Sequence, residues 1–228
     1  MTLKEKKIAF LCAVVIVILF LPAALFAQDT IAFLGEVGGN VKIIKANPGT
    51  DVAAKLGMLL EGGDTIKTEA ESFASVIFQD DGSRVKLGEN AQLTLNASRK
   101  KNKLSKRLRL ETGKIWAKVT KKRGTDFQVS TPTSVASVKG TKFVLEEGDA
   151  ETLLWVLEDI VEMAVAGGYT VDVAAGEYAK ATSGGIEKGV IQDDQIPVEP
   201  GKHEIIIYLN QQSEGSKQQK ELHIDFEH

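Results

Sequence analysis

Apolar residues recur at every second position through most of this chain, in short runs closed by Gly, Asp, Asn or Pro. That period belongs to strands with one buried face. Val37 to Lys45 alternates around Val41 and Ile43, and Asn47-Pro48-Gly49-Thr50-Asp51 reads as a loop. Leu56 to Leu60 is apolar and closes at Glu61-Gly62-Gly63-Asp64. Ala74, Val76 and Phe78 share one side of the next run. Asp80-Asp81-Gly82-Ser83 then signals a hairpin, since Asp-Gly accommodates the positive φ of a tight turn. Val85 and Leu87, Leu93 and Leu95, Leu108 and Leu110, and Ile115, Ala117 and Val119 continue the pattern. Arg99 to Ser105 shows no apolar period and is expected to be a charged loop. Later strands are expected over Leu153–Leu157, Ile160–Val165, Tyr169–Val173 and Tyr178–Thr182, with Gly167-Gly168 as a turn. Strands this short and closely spaced predict an all-β sandwich or roll, and no helix is predicted beyond the N-terminal run.

Residues 184–202 are rich in Gly, Asp and Pro and read as a linker after a domain spanning 28–183. Over 203–228, Ile205 to Ile207 and then Leu222, Ile224 and Phe226 describe an appended hairpin. It is expected to add strands to the core, the alternative being an edge offered to a partner.

The stretch from Phe127 to Leu145 organises the middle of the chain. Phe127 and Val129 lie on a half-buried strand that Pro132 ends by removing a backbone donor. Val135 and Val138 lead to Gly140, where the chain has most conformational freedom, and Phe143 and Leu145 resume the alternation. Thr131-Pro132 followed by Val138-Lys139-Gly140-Thr141-Lys142-Phe143 resembles the central signature of the FecR-type extracytoplasmic domain family. Gly63-Asp64-Thr65-Ile66-Lys67-Thr68 resembles its Gly-Asp-x-Ile-x-Thr element. Phe78 to Ser83 resembles its Phe-x-Asp-Gly-Ser hairpin with one extra acidic residue, so that Asp81-Gly82 takes the motif position. Leu110-Glu111-Thr112-Gly113-Lys114-Ile115 and Gly176-Glu177 are similar to the later motifs.

The resemblance implies a β fold of that type and a role in cell-surface signalling. It makes Gly63, Asp64, Asp81, Gly82, Gly113, Thr131, Pro132, Gly140, Thr141, Phe143 and Gly176 signature positions with structural roles. Glu158-Asp159 stands where the family carries glycine, so a different turn is expected there. Full-length members relay the state of a receptor to a sigma factor. Seven residues precede the apolar run here, and about thirty follow the linker candidate. The sigma-factor-binding region and the receptor-contacting domain are therefore expected to be missing.

Lys4, Lys6 and Lys7 precede an apolar run from Ile8 to Leu21, followed by Pro22 to Ala27. This describes a secretory signal peptide over 1–27 with cleavage after Ala27; the alternative is an uncleaved anchor, the only membrane contact expected. Either places the remainder outside the cytoplasm, periplasmic or secreted. Cys12, the only cysteine, leaves with the signal, so neither disulfides nor thiol chemistry are expected. The whole chain carries 28 Lys and Arg against 31 Asp and Glu. This small negative balance argues against a general polyanion binder. Arg99, Lys100, Lys101, Lys103, Lys106, Arg107 and Arg109 nevertheless cluster; they read first as a solvated loop and strand face, with a possible interaction patch as the second reading. Few aromatics interleave them, as a nucleic-acid platform would require.

Candidate chemistry is sparse. His203, His223 and His228 lack metal-ligand spacing, and a cofactor fingerprint, a nucleophile elbow and a P-loop are all missing. Asp80-Asp81-Gly82 falls short of a calcium loop, because Arg84 and Lys86 occupy later ligand positions. Glu146-Glu147 and Glu158-Asp159 are neighbours in strand-like sequence and would point to opposite faces. Trp116 and Trp155 read as core, with sugar stacking the alternative. The chain is accordingly expected to be a non-catalytic binding and signalling module of the bacterial envelope, without cofactor or metal. Its expected partner is an envelope protein or an anionic or glycan polymer. A glycan-binding or structural envelope protein is the second reading, and an envelope-polymer enzyme ranks below both.

Overall fold

The computed structural model describes residues 30–47, 49–100, 103–122, 126–192, 195–201, 204–213 and 216–225, with the last two ranges and Arg99, Lys100 and Lys103 described as backbone. The expected signal or anchor, Lys101, His203 and His228 lie outside the described residues. Among these residues the regular structure is all β, as the alternation predicts.

Up to the central strand the elements are β1 (Thr30–Gly38), β2 (Val41–Ile44), β3 (Asp51–Ala53), β4 (Leu59–Glu61), β5 (Thr65–Thr68), β6 (Phe73–Phe78), β7 (Arg84–Leu87) and β8 (Gln92–Lys100). The central strand is β9 (Lys103–Lys118). Then follow β10 (Phe127–Ser130), β11 (Ser134–Val138), β12 (Lys142–Glu147), β13 (Glu151–Val156), β14 (Ile160–Val165), β15 (Thr170–Ala174), β16 (Glu177–Thr182) and β17 (Gly185–Val190). Finally, β18 (Glu204–Ser213) and β19 (Ser216–Asp225) pair with each other in a sheet of their own.

The pairings resolve into two layers that share β9. The front layer runs β4-β1-β6-β7-β9-β12-β13-β16-β17. The back layer runs β3-β2-β5-β8-β9-β10-β11-β14-β15. Neighbours are antiparallel except β9 and β10. Residues 103–112 of β9 pair in the back layer and residues 113–118 in the front one. The chain must therefore return to the start of β9 before β10 can pair, which makes that one pair parallel.

The switch is written in side-chain phase. Leu104, Leu108 and Leu110 are buried at even positions, whereas Ile115 and Ala117 are buried at odd ones. A strand alternates strictly, so a bulge must absorb the change. It lies where the β8 register slips, with Gln92 opposite Thr112 but Leu93 opposite Leu110. Gly113 follows at φ 89°, and a Cβ there would stand 2.5 Å from the Ala91 Cα. The layers meet across a core in which Phe78 and Phe127 pack edge to face at 6.2 Å.

Two expectations are corrected. Arg99–Ser105 is not a free loop: Arg99 pairs with Leu104 and Lys100 with Lys103, carrying the β8–β9 ladder to its tip. Leu104 and Ala97 keep the inward phase of that ladder. Residues 185–190, read within the linker, form β17 on β16, because Ser183-Gly184 makes a turn and Ile186 packs on the core. Beyond β17, residues 195–201 lie against the front layer. The Trp116 indole donates to the Pro197 carbonyl at 2.9 Å, and Glu199 approaches Lys86 at 3.9 Å.

Candidate functional site

The signature residues hold the fold. Asp64 is fully buried, and its carboxylate accepts from Lys45 Nζ (2.7 Å) and from the backbone N–H groups of Ala46 and Glu61 (3.0 Å each). It thereby joins the ends of β2 and β4. Gly63, at φ 96°, gives its N–H to the Leu95 carbonyl. Thr131 folds back to accept from the Ser134 N–H at 2.9 Å and shares a 2.7 Å hydroxyl contact with Thr152, while Pro132 is exposed. Thr152 in turn donates to the buried Glu147, whose other oxygen takes the Thr133 hydroxyl at 3.0 Å. Gly140, at φ 94°, lets the backbone pass Lys121, and Thr141 donates to the Glu158 carbonyl. Phe143 is fully buried in the core. Gly176 turns at φ 82°. Asp159 takes φ 52°, a left-handed turn made without the glycine.

The Asp80-Asp81-Gly82 turn, with Gly82 at φ 71°, reaches inward. Asp81 accepts from the Ser83 N–H at 2.9 Å and from Lys106 Nζ at 2.5 Å. The same ammonium lies 2.8 Å from Asp80 Oδ1, off the line of a hydrogen bond, so charge holds that carboxylate. Burial alone would push the Asp81 carboxyl up. The Lys106 bond, the Ser83 bonds and the Lys106 charge outweigh it and hold the group below the usual carboxylate range.

Lys106 must therefore be removed from the interaction patch. Its side chain is 1% exposed because it occupies the inward phase of β9, between Leu104 and Leu108. Position parity is the signal that would have found it. Arg107 and Arg109, one residue out of phase, face solvent. Arg109 is engaged by Glu111, whose hydrogen bond and charge raise its pKa further.

Arg107 belongs to a row of outward residues that crosses the back layer: Asn96, Arg107, Gln128, Ser137, Glu162 and Asp172, each opposite the next. Two cavities lie along it. The first, about 470 Å³, is walled by Arg107, Lys121, Lys139 and Gln128. The second, about 450 Å³, shares Lys121, Ser137 and Lys139 with the first and adds Asp159, Glu162 and Asp172. The row is thus two-signed, with Arg107 toward one end, Glu162 and Asp172 at the other, and Lys121 and Lys139 lining both cavities. Strand spacing places Arg107 about 14 Å from Glu162 and about 19 Å from Asp172. Glu162 and Asp172 stand directly opposite each other, a like-charge pair that a bound cation would relieve. The Gly167-Gly168 turn sets that register, so the pair was available to a sequence reading that counted outward from the turn. Among the described residues, no cluster of His, Cys, Asp and Glu is arranged to hold a metal ion.

Residues 64–162, from the Asp64 anchor into β14, match the family model described as FecR protein. The chain carries a FecR domain. Two crystal structures of a candidate anti-sigma factor from Parabacteroides distasonis ATCC 8503, at 1.65 and 2.50 Å resolution, share the fold. Each aligns with a TM-score of 0.50 at 18% identity, over 57% of this chain and 61% of that one. The present chain therefore matches less than two thirds of the length of that protein. No curated protein sequence matches it significantly. The FecR domain match spans both halves of β9 and the central row of the groove.

Proposed function

We propose that this FecR-domain chain is a non-catalytic binding and signalling module of the bacterial envelope, displayed outside the cytoplasm, whose back-layer groove receives an envelope protein. The two-signed row from Arg107 to Asp172 carries this reading. A uniform polyanion would satisfy the basic end and be repelled by Glu162 and Asp172. A polypeptide segment with an acid and a base about 14–19 Å apart satisfies both ends. The FecR match and the fold shared with a candidate anti-sigma factor support a regulatory role over a catalytic one. Export rests on the basic and apolar N-terminal sequence.

The test places a photo-crosslinking residue at Gln128, on the groove floor, and at Lys67, away from it, in chains expressed with their own N-terminus. An envelope protein captured at Gln128 and lost with Arg107→Glu, but not captured at Lys67, supports the reading. Equal capture at both positions, or none, refutes it.

A further inference from the structure

The outer face of the front layer carries a second charged feature. Arg84 stands opposite Lys118, and Lys118 opposite Lys142, on the adjacent strands β7, β9 and β12. Val85, Ala117 and Phe143 of the same strands are buried, so the three cations point outward. Neighbouring strands lie about 4.8 Å apart, and like charges directly opposite repel. Two rows along the same strands the pattern is different: Lys114 opposite Glu146 is a matched pair at 2.9 Å. The cation row has no such partner among the described residues. Only Arg84 reaches a carboxylate, Glu36 at 4.0 Å, and Glu36 is held at 2.6 Å by Lys86.

The row opens onto a cavity of about 340 Å³ whose wall includes Trp116, Lys86 and Glu199, the last two 3.9 Å apart. Trp116 is half-buried on the outward face, opposite Lys86 and Val144, and the Pro197 carbonyl fixes its indole. A fixed aromatic ring beside unneutralised cations suits a ligand that offers an apolar ring face and an acid on one unit.

We infer that the cleft formed by Arg84, Lys118, Lys142 and Trp116 is a binding site for an acidic saccharide, the cations taking its carboxylate or phosphate and the indole packing on the sugar ring. The site lies on the layer opposite the groove and stands independently of the partner proposed there. Trp116 is not simply a core residue in this reading, although its neighbour on the same row, Trp155, is buried.

The test measures retention of the full chain on immobilised polygalacturonate, with neutral dextran, poly-glutamate and inorganic phosphate as comparisons. Binding to polygalacturonate and not to dextran, weakened by salt, is expected. Lys118→Gln with Lys142→Gln should weaken it about 100-fold, about tenfold for each charged contact, while the melting temperature holds and Lys67→Gln changes nothing. A double variant that binds as tightly as the parent overturns the site. Poly-glutamate bound as tightly as polygalacturonate overturns the saccharide, and binding of phosphate with no polymer bound overturns both.

Discussion

Replacing Lys106 by Met tests whether the buried Asp80–Lys106–Asp81 cluster is a structural pin or a solvated surface pair. The three side chains are 8, 1 and 2% exposed, and the ammonium lies 2.8 and 2.5 Å from the two carboxylates. Lys106→Met keeps most of the volume and the contact with the Phe78 ring, where Nζ now sits 5.1 Å from the centroid. It leaves two adjacent acids buried with no counter-charge. Breaking such a cluster from one side costs about 3–5 kcal/mol, whereas removing all of its charges together costs far less. In urea the midpoint should fall with an unchanged slope, and the melting temperature should drop by roughly 2–4 °C per kcal/mol for a domain of this size. Lys106→Met with Asp80→Asn and Asp81→Asn should recover most of the loss, since the new amide oxygen at position 81 still accepts the Ser83 N–H.

The pH dependence supplies an independent check. In the parent, the Asp81 carboxyl is depressed below 3.8. Its contribution is therefore fully present above that value and is lost as pH falls through the folded-state pKa. In Lys106→Met the Asp81 carboxyl loses the bond and charge that lower its pKa and keeps the burial that raises it, so its folded pKa rises and the variant loses stability as pH increases from about 4 toward 7. The difference between parent and variant should widen across that range. A loss below about 1 kcal/mol at pH 7, the range of an exposed pair, would refute the reasoning. So would a difference independent of pH.

Other positions give further expectations. Gly140→Ala must place a Cβ 2.5 Å from the Lys121 Cβ at φ 94°, and should cost at least about 1–2 kcal/mol in chemical unfolding from the conformation alone. Thr152→Val strips Glu147 and Thr131 of a buried hydroxyl partner and should cost about 1–3 kcal/mol, whereas Thr152→Ser should restore most of it. Trp116→Phe keeps an aromatic ring but loses the bond to Pro197, so amide exchange over residues 195–201 should accelerate while the core strands keep their protection.

Strand identity was legible because the alternation and turn residues agree. Asp81-Gly82 and Gly167-Gly168 lie at the β6–β7 and β14–β15 reversals where the sequence places them. The central strand was harder to read. Arg99 to Ser105 carries enough charge to suggest a loop, yet Leu104, Lys106, Leu108 and Leu110 hold one phase and Ile115 and Ala117 the other. A phase change around a glycine is a legible bulge, and it also marks Lys106 as inward. The two-signed groove was less accessible. Arg107, Glu162 and Asp172 become neighbours on one row only through the β9–β10–β11–β14–β15 order, which local patterning does not contain. The contact of residues 195–201 with the front layer is likewise long-range: Trp116 and Pro197 are 81 positions apart.

The shared strand β9 also divides the domain in time. Every described pairing of β1 to β8 is made within that set or with β9, and every described pairing of β10 to β17 within its own set or with β9. A chain threaded amino terminus first can therefore complete the earlier half of both layers once Lys118 has emerged, before any later strand exists. Until β10 and β12 arrive, β9 presents two open edges, one in each layer, on which the rest of the domain is templated.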